Sequence, residues 1–211
     1  MIKITKGPLP VWLAKNQEKK TLEYMVAKKG SKPSPWSQAE LRDALKSECW
    51  NKCMYCEVDP DDGSYPAVEH IKPKESFPDL VLQWENLGWC CTRCNTNKGS
   101  YWKDHKDLKL LNPYEDDPAD HIKHSGPVIV PSLGSERGKN TIRKLKLNRG
   151  SLITSKARRI QDLDDRIQLW NREDDPDKKS VLEDDVLDCL SQESEFCAML
   201  RAFATFQGFP N

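Results

Sequence analysis

Cys53-Met54-Tyr55-Cys56 and Cys91-Thr92-Arg93-Cys94-Asn95 enclose two further polar stretches, Glu69-His70-Ile71-Lys72-Pro73 and Trp84-Glu85-Asn86-Leu87. Thiolates two residues apart can turn toward one ion, and two such pairs supply the tetrahedral sulfur set that Zn²⁺ prefers. The 34 residues between the inner cysteines leave room for a functional insert between two knuckles. Free cysteines packed as small hydrophobes are the alternative. Disulfides fit less well, because no hydrophobic signal segment opens the sequence and a reducing, cytoplasmic setting is expected. Cys90-x3-Cys94 competes with Cys91-x-x-Cys94, and the two-residue spacing of the first pair favours Cys91. Cys49, Cys189 and Cys197 lie in helical patterns, where core packing is expected.

Between the pairs, Tyr65 to Ile71 reads as a short strand that Pro73 breaks. Residues 77–89 read as a loop with a short helix or strand, and the polar run from Thr92 to Lys98 reads as a helix. That helix would bring Asn95 back toward the His70 strand. The expected core is strand, strand, helix around one ion, with a knuckle at each end. Ser37-x-x-Glu40 is a capping-box pattern opening a helix that leads into the first knuckle. Val11 to Lys29 reads as a helix of imperfect period, and Val128-Ile129-Val130 as a short strand. The last 60 residues carry two amphipathic helices. One places Ile153, Ala157, Ile160, Ile167 and Trp170 on a face, the other Leu182, Val186, Leu190, Phe196, Leu200 and Phe203. A hairpin of these two, with part of its apolar face open to a partner, is the expected arrangement.

The 211 residues have a formal net charge of zero, 37% hydrophobic and 31% charged content. No run approaches the length of a membrane span. The average hides opposed blocks. Nine basic and no acidic residues lie between Arg137 and Arg159, whereas acidic residues outnumber basic ones ten to four from Asp162 to Asp185. The basic block is either a path for phosphates or a solvated face. There is no Gly-rich phosphate loop with Lys-Ser or Lys-Thr, so no nucleotide site is expected.

These motifs resemble the HNH endonuclease family in its variety with two cysteine pairs. The resemblance is carried by the cysteine pairs, Glu69 to Lys74, Trp84 to Leu87, and Asn95 to Lys98. Lys6-Gly7-Pro8, Leu111-Asn112-Pro113 and Thr141 to Asn148 extend it to the retron-associated HNH group, which includes the nuclease subunits of Septu-type anti-phage systems (PtuB-like). It implies an α+β fold: a small ββα-metal core with zinc knuckles at residues 51–112, preceded by a helical segment (1–50) and followed by a helical extension (113–211). It implies that His70 is the general base and that Glu69 and Asn95 hold a catalytic divalent ion. Asn86 would tie the loop to the backbone beside the histidine, and Cys53, Cys56, Cys91 and Cys94 would bind structural zinc. Lys98 would meet a phosphate or solvate its helix. Arg143, Lys144, Lys146, Arg158 and Arg159 are the candidate nucleic-acid contacts.

Many relatives carry histidine where this chain has Asn95. An oxygen-dominated site favours hard ions, so Mg²⁺ or Mn²⁺ is the expected catalytic ion. Expected partners are DNA, with RNA as the alternative substrate, and an ABC/SMC-like ATPase. A retron reverse transcriptase with its nucleic acid is a further candidate. A zinc-stabilised module that binds without cutting is the competing function.

Overall fold

The computed structural model describes residues 1–60 and 65–210. The chain has an α+β architecture, with two small antiparallel sheets set in a mainly helical chain. The central hairpin pairs β1 (Pro66–His70) with β2 (Leu87–Cys91), in a register running from Pro66 opposite Cys91 to His70 opposite Leu87. Every residue of β2 is buried. A Cβ at Gly88 would lie 2.5 Å from Met54 Sδ, so glycine lets the first knuckle lie directly on the strand. The helix α3 (Thr92–Lys98) follows β2 without a loop, and Cys91 caps it, its sulfur accepting from Cys94 N–H at 3.4 Å. The long loop between the strands holds two single 3₁₀ turns, Pro78–Leu80 and Trp84–Asn86.

Helices α1 (Val11–Val26) and α2 (Ala39–Glu48) lie ahead of this core. The capping box is displaced by one residue. Gln38 caps α2 by accepting from Leu41 N–H, and Glu40 accepts from Trp12 N–H, joining α1 to α2 instead of closing the box. Lys6 fastens the N-terminal segment to the hairpin. Its ammonium donates to Leu87 O at 2.8 Å, pairs with Glu48, and sits over the Trp84 ring at 3.7 Å from its centre. Trp84 in turn donates its indole N–H to Gly7 O.

Beyond the core, α4 (Pro118–His121) leads into β3 (Ile122–Ser125), which pairs with β4 (Val128–Pro131). β4 is the strand expected at Val128; β3 carries little apolar signal of its own. The helix α5 (Glu136–Leu145) follows. Its motif residues serve packing: Thr141 Oγ1 accepts from Leu111 N–H, and Asn148 both accepts from Ile129 N–H and donates to its carbonyl.

The C-terminal region departs from the expected hairpin in two ways. In α6 (Gly150–Arg172) the buried stripe is Leu152, Lys156, Leu163 and Ile167, while Ala157 is exposed and Ile153, Ile160 and Trp170 are half-buried. The second helix is two helices, α7 (Pro176–Cys189) and α8 (Cys197–Phe206). The break has a tertiary cause. Lys52 Nζ captures the carbonyls of Gln192 (2.5 Å) and Ser194 (2.8 Å), Ser194 Oγ bonds Asp188 O, and Phe196 turns left-handed at φ 58°. Among the described residues no helix is long and apolar enough to cross a membrane.

Candidate active site and metal centre

Cys53, Cys56, Cys91 and Cys94 are buried together, with their sulfur atoms all within 4.8 Å of one another. The Cys56–Cys91 separation of 3.8 Å is the edge of a tetrahedron built on metal–sulfur bonds of about 2.3 Å. The first knuckle is shaped by Glu57, which donates its N–H to Cys53 O with φ at 61°, and by Cys53 N–H donating to Val58 O. Met54 N–H donates to Trp89 O, which fixes that knuckle on β2. The Cys56 thiol is held well below the usual range by hydrogen bonds from Cys53, Cys91 and Cys94, which favour its thiolate. This donor set fits zinc.

Cys91, not Cys90, belongs to the cluster. Strand alternation explains the choice: neighbours in β2 face opposite ways. Cys90 pairs across the sheet with Ala67 and shares its face with Glu69, and its thiol approaches Glu69 Oε2 at 3.7 Å. Burial and the nearby Glu69 charge push the Cys90 thiol far up, so it stays protonated.

Glu69 is fully buried. Burial raises its carboxyl above the ordinary range, and Lys98 opposes the rise. The Lys98 ammonium lies 2.5 Å from Glu69 Oε1 and donates to His70 O at 2.7 Å, so the end of α3 is clamped to the end of β1. Lys98 is therefore neither a solvated residue nor a surface one; it is 4% exposed. Asn95 is half-buried and precedes Lys98 by one turn, on the same face of α3. Glu69 Oε1 is buried and makes no well-aligned hydrogen bond among the described residues. A carboxylate and an amide one turn before Lys98 make an oxygen donor pair, and a cation held there would share Glu69 Oε1 with the Lys98 ammonium.

His70 ends β1 on the strand face opposite Glu69. Its Nε2 lies 3.1 Å from Val81 O, and its ring meets Trp36 edge-on at 4.9 Å. A carbonyl can only accept, so Nε2 carries the proton and Nδ1 keeps the lone pair. Burial, with Lys74 and Lys98 adding to it, depresses the ring to about 4, so it is neutral at neutral pH. Lys74 and Lys98 act on both the ring and the Glu69 carboxylate, which places all four groups around one strand end.

Asn86 holds the intervening loop. Its Oδ1 accepts from Lys72 N–H at 2.7 Å, its Nδ2 donates to Lys72 O and Leu80 O, and its own carbonyl accepts from Ile71 N–H. The segment that carries the Val81 carbonyl is thereby fixed to the segment that follows His70. Asn86→Ala leaves three part-buried backbone groups of Lys72 and Leu80 without this partner, which costs at most about 1–3 kcal/mol for each. Thermal melting should show a clear drop, with zinc content unchanged; an unaltered melting temperature would remove the clamp from this account.

The five other candidate nucleic-acid contacts are not on one element. Arg143 and Lys144 lie on α5, Lys146 in its left-handed C-cap, and Arg158 and Arg159 on α6. Arg143, Lys146 and Arg158 are exposed, while Lys144, set over the Tyr101 ring, and Arg159 are half-buried. The rest of the basic block divides. Arg137 forms a two-pronged pair with Asp116, Arg149 turns inward to Cys56, and Lys156 is buried. The roles of Cys90, Lys74, Arg149 and Lys156 were not visible in the motifs. Alternation from Cys91 would have found Cys90; nothing local marks the others.

Residues 53–101 match the family described as HNH endonuclease. This segment is an HNH endonuclease domain. The chain is also homologous to Septu protein PtuB of Bacillus thuringiensis, at 36% identity over 150 residues, or 70% of this chain and 55% of that protein. Septu protein PtuB of Bacillus mycoides (strain KBAB4) is 27% identical over 158 residues, covering 61% of this chain and 54% of that one. The chain thus spans about half the length of the curated relatives it matches. The 150 aligned residues exceed residues 53–101, so the homology extends outside the HNH segment.

Proposed function

We propose that this chain is a metal-dependent endonuclease that hydrolyses nucleic-acid phosphodiesters, the effector of an anti-phage system in the reducing cytoplasm. The observation that carries the reading is the locked histidine. His70 follows the buried Glu69 directly in β1 and donates Nε2–H to Val81 O, which lies on a loop held by Asn86. Nδ1 accepts a proton from water as that water's oxygen attacks phosphorus. The bond from phosphorus to the departing sugar oxygen breaks, and that oxygen collects a proton from solvent. Glu69 and Asn95 hold a divalent ion, which when bound neutralises charge on the phosphate and the leaving oxygen. Lys98 orients the Glu69 carboxylate and ties it to the His70 carbonyl. Zn²⁺ belongs to the cysteines. Arg143, Lys144, Lys146, Arg158 and Arg159 guide the backbone of the nucleic acid, DNA in preference to RNA. An ABC/SMC-like ATPase supplies control, since the chain has no nucleotide motif of its own.

The donor set predicts the ion. Zinc-loaded protein assayed with labelled DNA across a divalent series should cleave with Mg²⁺ or Mn²⁺, and Asn95→Ala should need a higher concentration of either ion. Full activity with Zn²⁺ and none with Mg²⁺ would overturn the assignment of Glu69 and Asn95 to a hard ion. Addition of the neighbouring ATPase, with and without ATP, tests the control.

A further inference from the structure

The cysteine cluster is contacted by a residue that lies outside the HNH segment. Arg149 donates from Nη2 to Cys56 Sγ at 3.5 Å and approaches Cys94 Sγ from Nη1 at 3.9 Å. It is the N-cap of α6, so the positive end of a 23-residue helix meets the same cluster. Arg93, between Cys91 and Cys94, reaches Ser151 Oγ on the first turn of that helix at 3.0 Å. Lys156 follows Arg149 by seven residues, two turns along the same face. It is 2% exposed, and its ammonium has no hydrogen-bond partner among the described residues. The buried Arg149 Nε likewise has none. The Lys156 ammonium lies 5.8 Å from the centre of the Phe196 ring.

A buried ammonium without a counter-charge is costly. Four thiolates on one Zn²⁺ carry roughly two negative charges in excess. Arg149 and Lys156 supply two positive ones, on one helix face, and both come from the C-terminal extension. We infer that the zinc centre is a joint between the HNH segment and the C-terminal extension: Arg149 and Lys156 neutralise the ionised tetrathiolate, and metal binding docks α6. Arg149 and Lys156 are positioning residues in this account. The Arg149 hydrogen bonds reach the sulfurs from the side of α6 and so tie the metal ligands to that helix. The inference rests on the zinc reading proposed above and is separate from the nuclease reading, because its tests do not use cleavage.

Zinc affinity is measured by competition with a chromophoric chelator, on the full chain, for wild type, Arg149→Gln, Lys156→Met and Arg166→Gln. Arg166 lies on α6 too, but is 46% exposed and makes only a long pair with Asp185. Arg149→Gln should bind zinc about 10–100-fold more weakly, the range found when groups behind metal ligands are removed. Lys156→Met should weaken it in the same direction, and Arg166→Gln should match wild type. On removal of zinc from wild type, hydrogen exchange across residues 150–160 should accelerate. Wild-type affinity in both Arg149→Gln and Lys156→Met would overturn the inference, as would unchanged exchange in α6 after chelation. A wild type without stoichiometric zinc overturns it together with the zinc reading. Should Arg149→Gln fail to fold, Lys156→Met and the exchange measurement carry the test, and wild-type affinity in Lys156→Met then overturns the inference.

Discussion

His70→Ala is expected to lower cleavage by about 10²–10⁴-fold, the usual worth of a positioned general base, with zinc content unchanged. The ring is 5% exposed and packs against Trp36, so the substitution also leaves a small cavity and an unpaired Val81 carbonyl. That costs about 1–3 kcal/mol, and a lower melting temperature alone would be ambiguous. His70→Gln resolves the ambiguity. An amide N–H can still donate to Val81 O, but an amide has no basic nitrogen. Both variants should therefore lose cleavage, while Gln keeps more of the stability. If His70→Gln still cuts within about tenfold of wild type, the histidine is not the base. If neither wild type nor variant cuts but both bind nucleic acid equally, the domain is a zinc-stabilised binding module. The neutral state of the ring at neutral pH follows from burial, with Lys74 and Lys98 adding to it, so no proton has to be shed before the ring can accept one from water.

What could be read from the sequence was what local periodicity and spacing encode. The first hairpin strand, with Glu69 and His70 near its end, the turn to α3 and the choice of Cys91 over Cys90 were legible in this way. Most of β2 falls in a stretch that reads as a loop with a short helix or strand, because a strand buried at every residue shows no alternation. Three other features depend on partners far away in the chain. Lys98 looks like any exposed lysine in a polar run, yet it is buried because Glu69 and the His70 carbonyl lie under it. The helix expected from Leu182 to Phe203 already leaves helical spacing at the six-residue step from Leu190 to Phe196, and Lys52 binds the carbonyls of that stretch from 140 residues away. The buried stripe of α6 includes Lys156, a residue that hydrophobic patterning assigns to the solvent side. Counting apolar residues therefore shifted the stripe toward Ala157, which is exposed. In each case a buried charged side chain overrode the local pattern.

The two halves of the site should separate under mutation. Cys91→Ser removes one of four sulfurs from a centre whose metal binding is coupled to folding, a coupling worth about 10–16 kcal/mol in isolated zinc modules. Domain stabilities of about 5–15 kcal/mol cannot absorb such a loss. The variant is expected to purify with less than stoichiometric zinc and to melt far lower, or without a cooperative transition. Cys90→Ser changes the adjacent residue on the opposite face and should keep its zinc. The contrast between neighbours is a direct test of the register that pairs Cys91 with Pro66. Asn95→Ala sits one residue beyond Cys94 but is half-buried and outside the sulfur cluster, so its melting temperature should stay near wild type while cleavage falls. Melting and cleavage measured side by side distinguish a group that holds the fold from one that serves the reaction. Equal losses of melting temperature in Cys91→Ser and Asn95→Ala would merge the two roles and remove the reason to place separate ions at the sulfur cluster and at Glu69.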